Sequence, residues 1–396
     1  MPIRRFTSKQ NKSSAGSAFK FVLMFGFISL LADMTYEGAR SITGPYLSLL
    51  GANATVVGIV AGLGEFVGYG LRFLSGYITD RTARYWGITF LGYGINLVAV
   101  PLLAFAGRWE IAAILIVSER VGKAIRTPAR DAMLSYATHE MGRGRGFGIH
   151  EAMDKIGSML GPLLIAGVLS INGSYKPAFA ILFIPALLAL FMLSYSRTLY
   201  PNPRDLEVHV IKLEREGFPK SFWIYLIAAG FIAAGYADFA LIAYHFQKAS
   251  IIPVHFIPLY YAFAMGTTAL SAFIFGRAYD KMGISLLIFT SFASALFAPL
   301  VFLGNSSAAL VGIGLWALGI GTQGSVMRAI IAEMVSTQRR GSAYGIFNTG
   351  FGIFWFLGSA LMGLLYDTSL TALIIFSVLI QLFSIPLFLV VRKTVR

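Results

Sequence analysis

Apolar runs of about 20 residues recur along the whole chain, separated by short polar segments, and that is the length an α-helix needs to cross the hydrocarbon core of a bilayer. Twelve spans are predicted, at 19–49, 54–79, 85–107, 110–135, 146–171, 175–196, 220–248, 253–279, 283–304, 307–335, 341–366 and 369–392. The longer ones must tilt or protrude from the hydrocarbon. One connection is long and polar, 197–219, with Pro201, Pro203, Pro219 and a mixed charge run at 212–216. It is expected to be a linker holding a short interfacial helix. The plan is an all-α polytopic membrane protein: a polar tail at 1–18, a six-helix bundle at 19–196, the linker, a second six-helix bundle at 220–392 and a short tail at 393–396.

Composition supports that plan. The chain has 396 residues, 57% hydrophobic and 13% charged, and a mean hydropathy of +0.72; a soluble domain carries about a quarter charged residues. The formal charge of +14 would fit a nucleic-acid binder, but its placement argues otherwise. Lys and Arg cluster in alternate loops, whereas the opposite loops hold only Arg108, Lys176 and Lys248. This is the positive-inside pattern, with an anionic inner leaflet as the neighbour. It predicts a multi-pass protein of the cytoplasmic membrane with both termini cytoplasmic, which requires an even number of spans. Residues 1–18 lack an apolar core and a cleavage site, so they read as a tail rather than a signal peptide. The absence of cysteine excludes disulfides and thiolate metal sites.

The stretch at 118–166 departs from the oily background. Glu119, Arg120, Lys123, Arg126, Arg130 and Asp131 fall in the fourth span, and Glu151, Asp154 and Lys155 in the fifth. A charge at the bilayer centre costs roughly 2.5–3.5 kcal/mol on insertion scales, so such groups face a protein interior or a wet path. Asp33, Glu37 and Arg40 share one face of the first span, and Glu65 lies mid-way along the second. The second half has far fewer such charges: Asp238, Arg328 and Glu333. Coupling is therefore expected in the first half. The second half is expected to give an apolar and aromatic wall, with Tyr236, Tyr244, Phe347, Asn348 and Trp355 as candidates.

The halves repeat. Gly76, Asp80 and Arg81 end the second span, and Gly276, Asp280 and Lys281 end the eighth. Gly148 and Gly161 of the fifth span correspond to Gly345 and Gly358 of the eleventh. Two repeats of the same orientation, with a solute site between them near the midplane, are a known transporter plan.

Gly76, Asp80, Arg81 and Arg84, spaced GxxxDRxxR, resemble the loop between the second and third helices that marks the major facilitator superfamily. The resemblance covers nearly the whole chain and implies its twelve-helix fold. It implies a gate latch, in which Asp80 holds the start of the eleventh helix near Arg340 and Gly341 when the cytoplasmic side is closed, with Asp131, Gly276 and Asp280 as further members of the gate. Gly148, Gly157, Gly161 and Pro162 are similar to the glycine-proline motif of proton-coupled antiporters, although Ile165-Ala166 replace its final glycine pair. Arg120 falls where these antiporters carry a fourth-helix arginine implicated in proton transfer. An arginine does not release its proton at ordinary pH. Its expected role is to hold Asp33, Glu37 or Glu65 ionised until solute or conformation separates them. A closer resemblance, through Asp33-x3-Glu37, Gly64-Glu65, the run at 119–131 and the segment at 150–154, is to a poorly characterised prokaryotic branch labelled multidrug-resistance-like. That branch usually has Asp where Glu119 stands, and often Lys at Arg72.

These readings predict a secondary active transporter that moves a small solute by alternating access, coupled to protons as an antiporter in efflux. The expected pathway residues are Asp33, Glu37, Arg40, Glu65, Arg120, Lys123, Arg126, Asp154 and Lys155. An alternative is uptake or exchange of an anion held by Arg120, Lys123, Arg126 and Arg130. A membrane-embedded enzyme or receptor is a third reading. The histidines at 139, 150, 209, 245 and 255 show no ligand spacing, and no phosphate-cradling loop occurs, so no metal, cofactor or enzymatic activity is expected. The expected partners are a solute, protons and the lipid bilayer, without nucleic acid, and the chain is expected to work as a monomer.

Overall fold

A computed structural model describes residues 8–138, 143–201, 217–336 and 339–395. All the regular structure among them is helical. In the first half run α1 (Ser8–Arg40), α2 (Thr43–Leu49), α3 (Ala54–Thr82), α4 (Tyr85–Leu102), α5 (Trp109–Thr138), α6 (Arg143–Asn172), α7 (Tyr175–Ala180) and α8 (Phe183–Leu199). The second half holds α9 (Lys220–Gly235), α10 (Phe239–Lys248), α11 (Ile257–Met282), α12 (Ser285–Ala295), α13 (Phe297–Phe302), α14 (Ser306–Met334), α15 (Arg340–Thr368) and α16 (Leu370–Val395).

These helices account for all twelve predicted spans, several of them in two pieces: α1 with α2, α7 with α8, α9 with α10, and α12 with α13. Eleven are long and apolar enough to cross a membrane. The twelfth is α5, whose 30 residues carry Glu119, Arg120, Lys123, Arg126, Arg130 and Asp131. Its polarity is paid for by packing against protein rather than lipid. α1 begins at Ser8 rather than near residue 19, and α16 runs on to Val395. The interfacial helix expected in the linker falls outside the described residues.

Within the first half α1 packs on α6 and α8, and α5 on α3 and α4; within the second, α11 packs on α14, and α9 on α15 and α16. The halves meet where α3 packs on α15 and α10, α6 on α11, and α2 on α10. The start of α1 and the end of α16 lie on one side of the bundle, called here the terminal side. The far side is shut. A Cβ built on Gly44 of α2 would sit 1.8 Å from the Ala240 carbonyl oxygen of α10, so backbone meets backbone there. Beside it Asp367, at the end of α15, accepts hydrogen bonds from the Ala54 N–H at 3.2 Å, the Thr55 N–H at 2.8 Å and the Thr55 hydroxyl at 2.7 Å. A carboxylate at the free N–H groups of a helix start is favourably placed against its dipole.

Candidate functional site

Between the halves lies a cavity of about 920 Å³. Its wall runs from Asp33, Glu37 and Lys123 at mid-helix to Phe147 and Gly148 on α6 and Tyr344 on α15, near the terminal-side starts of those helices. A deeper chamber of about 240 Å³ adjoins it, lined by Glu37, Arg40, Glu65, Asp238, Tyr261 and Trp355 among others. The stretch at 118–166 borders the larger cavity: Lys123, Thr127, Arg130 and Asp131 face it from α5, and His150, Asp154, Lys155 and Ser158 from α6.

The charges separate into two kinds. One group is fully paired. Arg40 holds Glu65 in a direct ion pair and lies 3.9 Å from Glu37 and 3.8 Å from Asp238. Arg120 lies 3.2 Å from Glu65 and 3.2 Å from Glu119, and Glu119 also accepts from Asn96 at 2.8 Å. Lys123 reaches Glu37 at 3.8 Å and sits 3.8 Å above the Tyr36 ring. Glu37 takes a further hydrogen bond of 2.5 Å from the Tyr261 hydroxyl of α11. In this knot each carboxylate has at least one cation beside it, as burial demands.

The second group has no Lys or Arg in direct contact among the described residues. The Asp33 carboxylate accepts from Tyr36 and, at 3.2 Å, from Ser158 of α6, with no Lys or Arg within 4.0 Å among the described residues. Asp154, one turn earlier on α6, has His150 at 3.6 Å and no Lys or Arg within 4.0 Å among the described residues, and its Oδ1 is buried without a hydrogen-bond partner. His150 in turn meets the Ser29 hydroxyl at 2.8 Å. The seam of α1 and α6 that carries these groups is drawn tight by glycines: a Cβ on Gly157 or Gly161 would stand 2.2 Å from the Leu30 or Met34 carbonyl oxygen. Pro162 follows within the same helix, while Gly148 faces the cavity.

Several expectations need correction. Arg126 is packed rather than exposed to a pathway. It is 1% exposed, lies 4.2 Å over the Tyr93 ring, and lines neither cavity. Arg120 stands behind Glu65, lines neither of these spaces, and faces a pocket of about 40 Å³ beyond the knot. The basic set proposed to hold an anion is already engaged, since Arg120, Lys123 and Arg130 each have an acidic neighbour and Arg126 is sandwiched by aromatic rings. In the second half, Phe347 and Asn348 line both spaces and Trp355 the deeper one. Tyr236 is instead core, donating to the Trp316 carbonyl at 2.9 Å, and Tyr244 packs edge-on against Tyr366.

Nor is the charge chemistry confined to the first half. Asp238 stands in the break between α9 and α10, as Arg40 stands at the break between α1 and α2, and the two approach across the halves. Asp238 is also held by the Trp355 indole at 3.1 Å and the Ser359 hydroxyl at 2.6 Å. Its signal was visible as an acid in the middle of an oily span. Tyr36 and Tyr261 gave none, because buried tyrosines are common in such helices.

The gate residues lie apart from the cavity except Asp131, which faces it and pairs with Arg130 at 2.9 Å. Asp80 and Asp280 are exposed at the ends of α3 and α11. Asp80 has no hydrogen bond or ion pair among the described residues. Arg81 donates to the Tyr77 hydroxyl at 3.2 Å, Arg84 is exposed, and a Cβ added at Gly76 or Gly276 would come into ordinary contact with Pro128 or Ser325. The Arg340 side chain is outside the described residues. Among the described residues Asp80 thus makes no latch contact, whereas Asp367 on the far side holds the start of α3.

This geometry accords with what known proteins show. The sequence model of the Major Facilitator Superfamily matches residues 18–322 and 252–396. The chain belongs to that superfamily. An uncharacterized protein of Mycobacterium tuberculosis is 39% identical over 383 residues, covering 95% of this chain and 94% of its own. An uncharacterized MFS-type transporter of Methanocaldococcus jannaschii is 29% identical over 384 residues, covering 91% and 92%. Among solved structures, peptide transporter POT superposes with a TM-score of 0.77 at 13% identity, covering 94% of each chain; a likeness of that kind shows the fold. The chain is therefore a facilitator-fold protein of secondary transport across a membrane, with a small molecule as its cargo.

Proposed function

We propose that this superfamily member exports a small solute across the cytoplasmic membrane in exchange for protons, with the terminal side cytoplasmic and the structure open inward. The observation that carries this reading is the Asp33–Asp154 pair: two carboxylates on packed helices, Asp33 buried and Asp154 partly buried, both facing the larger cavity and neither with a Lys or Arg within 4.0 Å among the described residues. An uncompensated buried carboxylate is costly. A proton from the cavity removes that cost, so occupancy of the pair is tied to which side the cavity faces. The knot around Arg40 and Glu65 has no such vacancy and serves instead as the joint between the halves. Tyr261–Glu37 and Arg40–Asp238 cross from one half to the other, and rocking to the outward state must break them. Exchange rather than co-transport is supported by the antiporter-like segment Gly148, Gly157, Gly161 and Pro162.

The test is solute-dependent proton movement in vesicles containing the purified protein, with an internal pH dye, an imposed gradient and a panel of organic anions, cations and neutral compounds. Dissipation of the gradient by at least one compound, lost in Asp33→Asn and Asp154→Asn, is expected. Saturable transport that ignores the gradient would contradict the proton coupling.

A further inference from the structure

Among the cations facing the larger cavity, most are neutralised within the protein. Lys123 has Glu37 at 3.8 Å, Arg130 has Asp131 at 2.9 Å and Lys155 has Glu151 at 3.5 Å. Arg72 and Arg328 line the same cavity and have no acidic group within 4.0 Å among the described residues. Arg72 comes from α3 in the first half; its guanidinium lies 5.3 Å over the Tyr69 ring, and its Nε is buried without a hydrogen-bond partner. Arg328 comes from α14 in the second half and also lines the deeper chamber. The two are near enough to feel one another's charge. Like charges on one cavity wall repel; Glu65 and Asp131 offset part of this for Arg72 from a distance, but neither guanidinium has a carboxylate in contact among the described residues.

An anion between them would. A guanidinium presents a planar fork that matches carboxylate and phosphate oxygens in two parallel hydrogen bonds. Next to the pair, Asn348 offers a polar contact and Phe347, Tyr69 and Phe351 an aromatic surface leading into the deeper chamber. We propose that Arg72 and Arg328 form a two-part receptor for an acidic group, carboxylate or phosphate monoester, carried by the transported solute, whose apolar remainder lies along that aromatic wall. The receptor draws one arginine from each half, so it is complete only while both face the same cavity. This rests on the transporter reading but not on the proton coupling.

The chain has no cysteine, so Asn348→Cys places a single thiol beside the receptor. Labelling of that thiol by a maleimide would be timed in detergent, with no gradient, in the presence of naphthoate, naphthyl phosphate or neutral naphthamide. The anions are expected to slow labelling saturably and naphthamide to have no effect. Arg72→Gln and Arg328→Gln should each weaken that protection by about tenfold, the loss of one charge-assisted fork, while Arg72→Lys and Arg328→Lys fall between. Unchanged melting temperatures and labelling rates without probe show that a variant has kept its fold. Equal protection by naphthamide, or undiminished protection in both glutamine variants, would overturn the proposal. So would protection seen only in phosphatidylglycerol nanodiscs and never with the soluble anions, which would assign the pair to a lipid headgroup. Because binding is read without a gradient, it can succeed where the proton-flux test fails, and the reverse.

Discussion

The knot at Arg40, Glu65 and Arg120 and the pair at Asp33 and Asp154 use the same chemistry a few ångströms from a shared cavity, yet they are finished differently. In the knot, Glu65 is shared by two arginines and Glu37 by Arg40, Lys123 and Tyr261. In the pair, Asp33 is held by hydroxyls and Asp154 by a histidine, with one carboxylate oxygen left over. Intramembrane charge alone therefore says little about role. A charge whose partners are all in place is a fastening, and one whose partner is missing awaits something from the cavity.

The sharpest way to break the comparison is to neutralise each side in turn. Asp154→Asn or Asp33→Asn should abolish gradient-driven transport while leaving the melting temperature close to that of the parent, as measured by vesicle flux and thermal unfolding. Glu65→Gln should do the opposite first. It leaves Arg120 and Arg40 short of a counter-charge in a buried setting, a loss of about 3 kcal/mol, seen as a lowered melting temperature and poor recovery of folded protein.

A smaller effect sharpens the contrast between the two faces. Asp367→Asn weakens the far-side latch on Ala54 and Thr55 by about 1 kcal/mol, roughly a fivefold shift toward the state open on the far side. The rate at which a maleimide reaches Asn348→Cys from the terminal side should fall accordingly. Smallest of all is Lys155→Ala. Its Glu151 partner is 66% exposed at the side chain, and pairs of that kind contribute about 0.5 kcal/mol or less, so thermal unfolding should barely move.

Much of this was legible in the sequence, for reasons that are themselves physical. A bilayer imposes length and apolarity, so the twelve spans could be read directly. The same rule marked α5 as the one helix that lipid would reject. Gly157 and Gly161 announced a close helix crossing, which they make with α1. What could not be read was rotation and partnership. Nothing in the spacing of Arg120, Lys123, Arg126 and Arg130 tells that Arg126 is wedged against Tyr93 and Tyr36 while Lys123 faces the cavity; that depends on how α5 is turned against α1 and α4. Tyr261 lies 224 positions from Glu37, and Arg72 and Arg328 sit on helices that only the fold brings to one wall. Asp80 was read as lying near the end of a helix, and α3 ends at Thr82; the latch expected of it involves the Arg340 side chain, which lies outside the described residues.

The central claim is that the proton resides on the unmatched pair and not in the knot. Infrared difference spectroscopy of the purified protein on acidification tests it without knowledge of the solute, through the carbonyl stretch of a carboxylate that takes up a proton. That band is expected in the parent and in Arg72→Gln, and it should disappear in Asp33→Asn or Asp154→Asn. A band that survives both aspartate variants and is lost when Glu37 or Glu65 becomes glutamine would contradict the account.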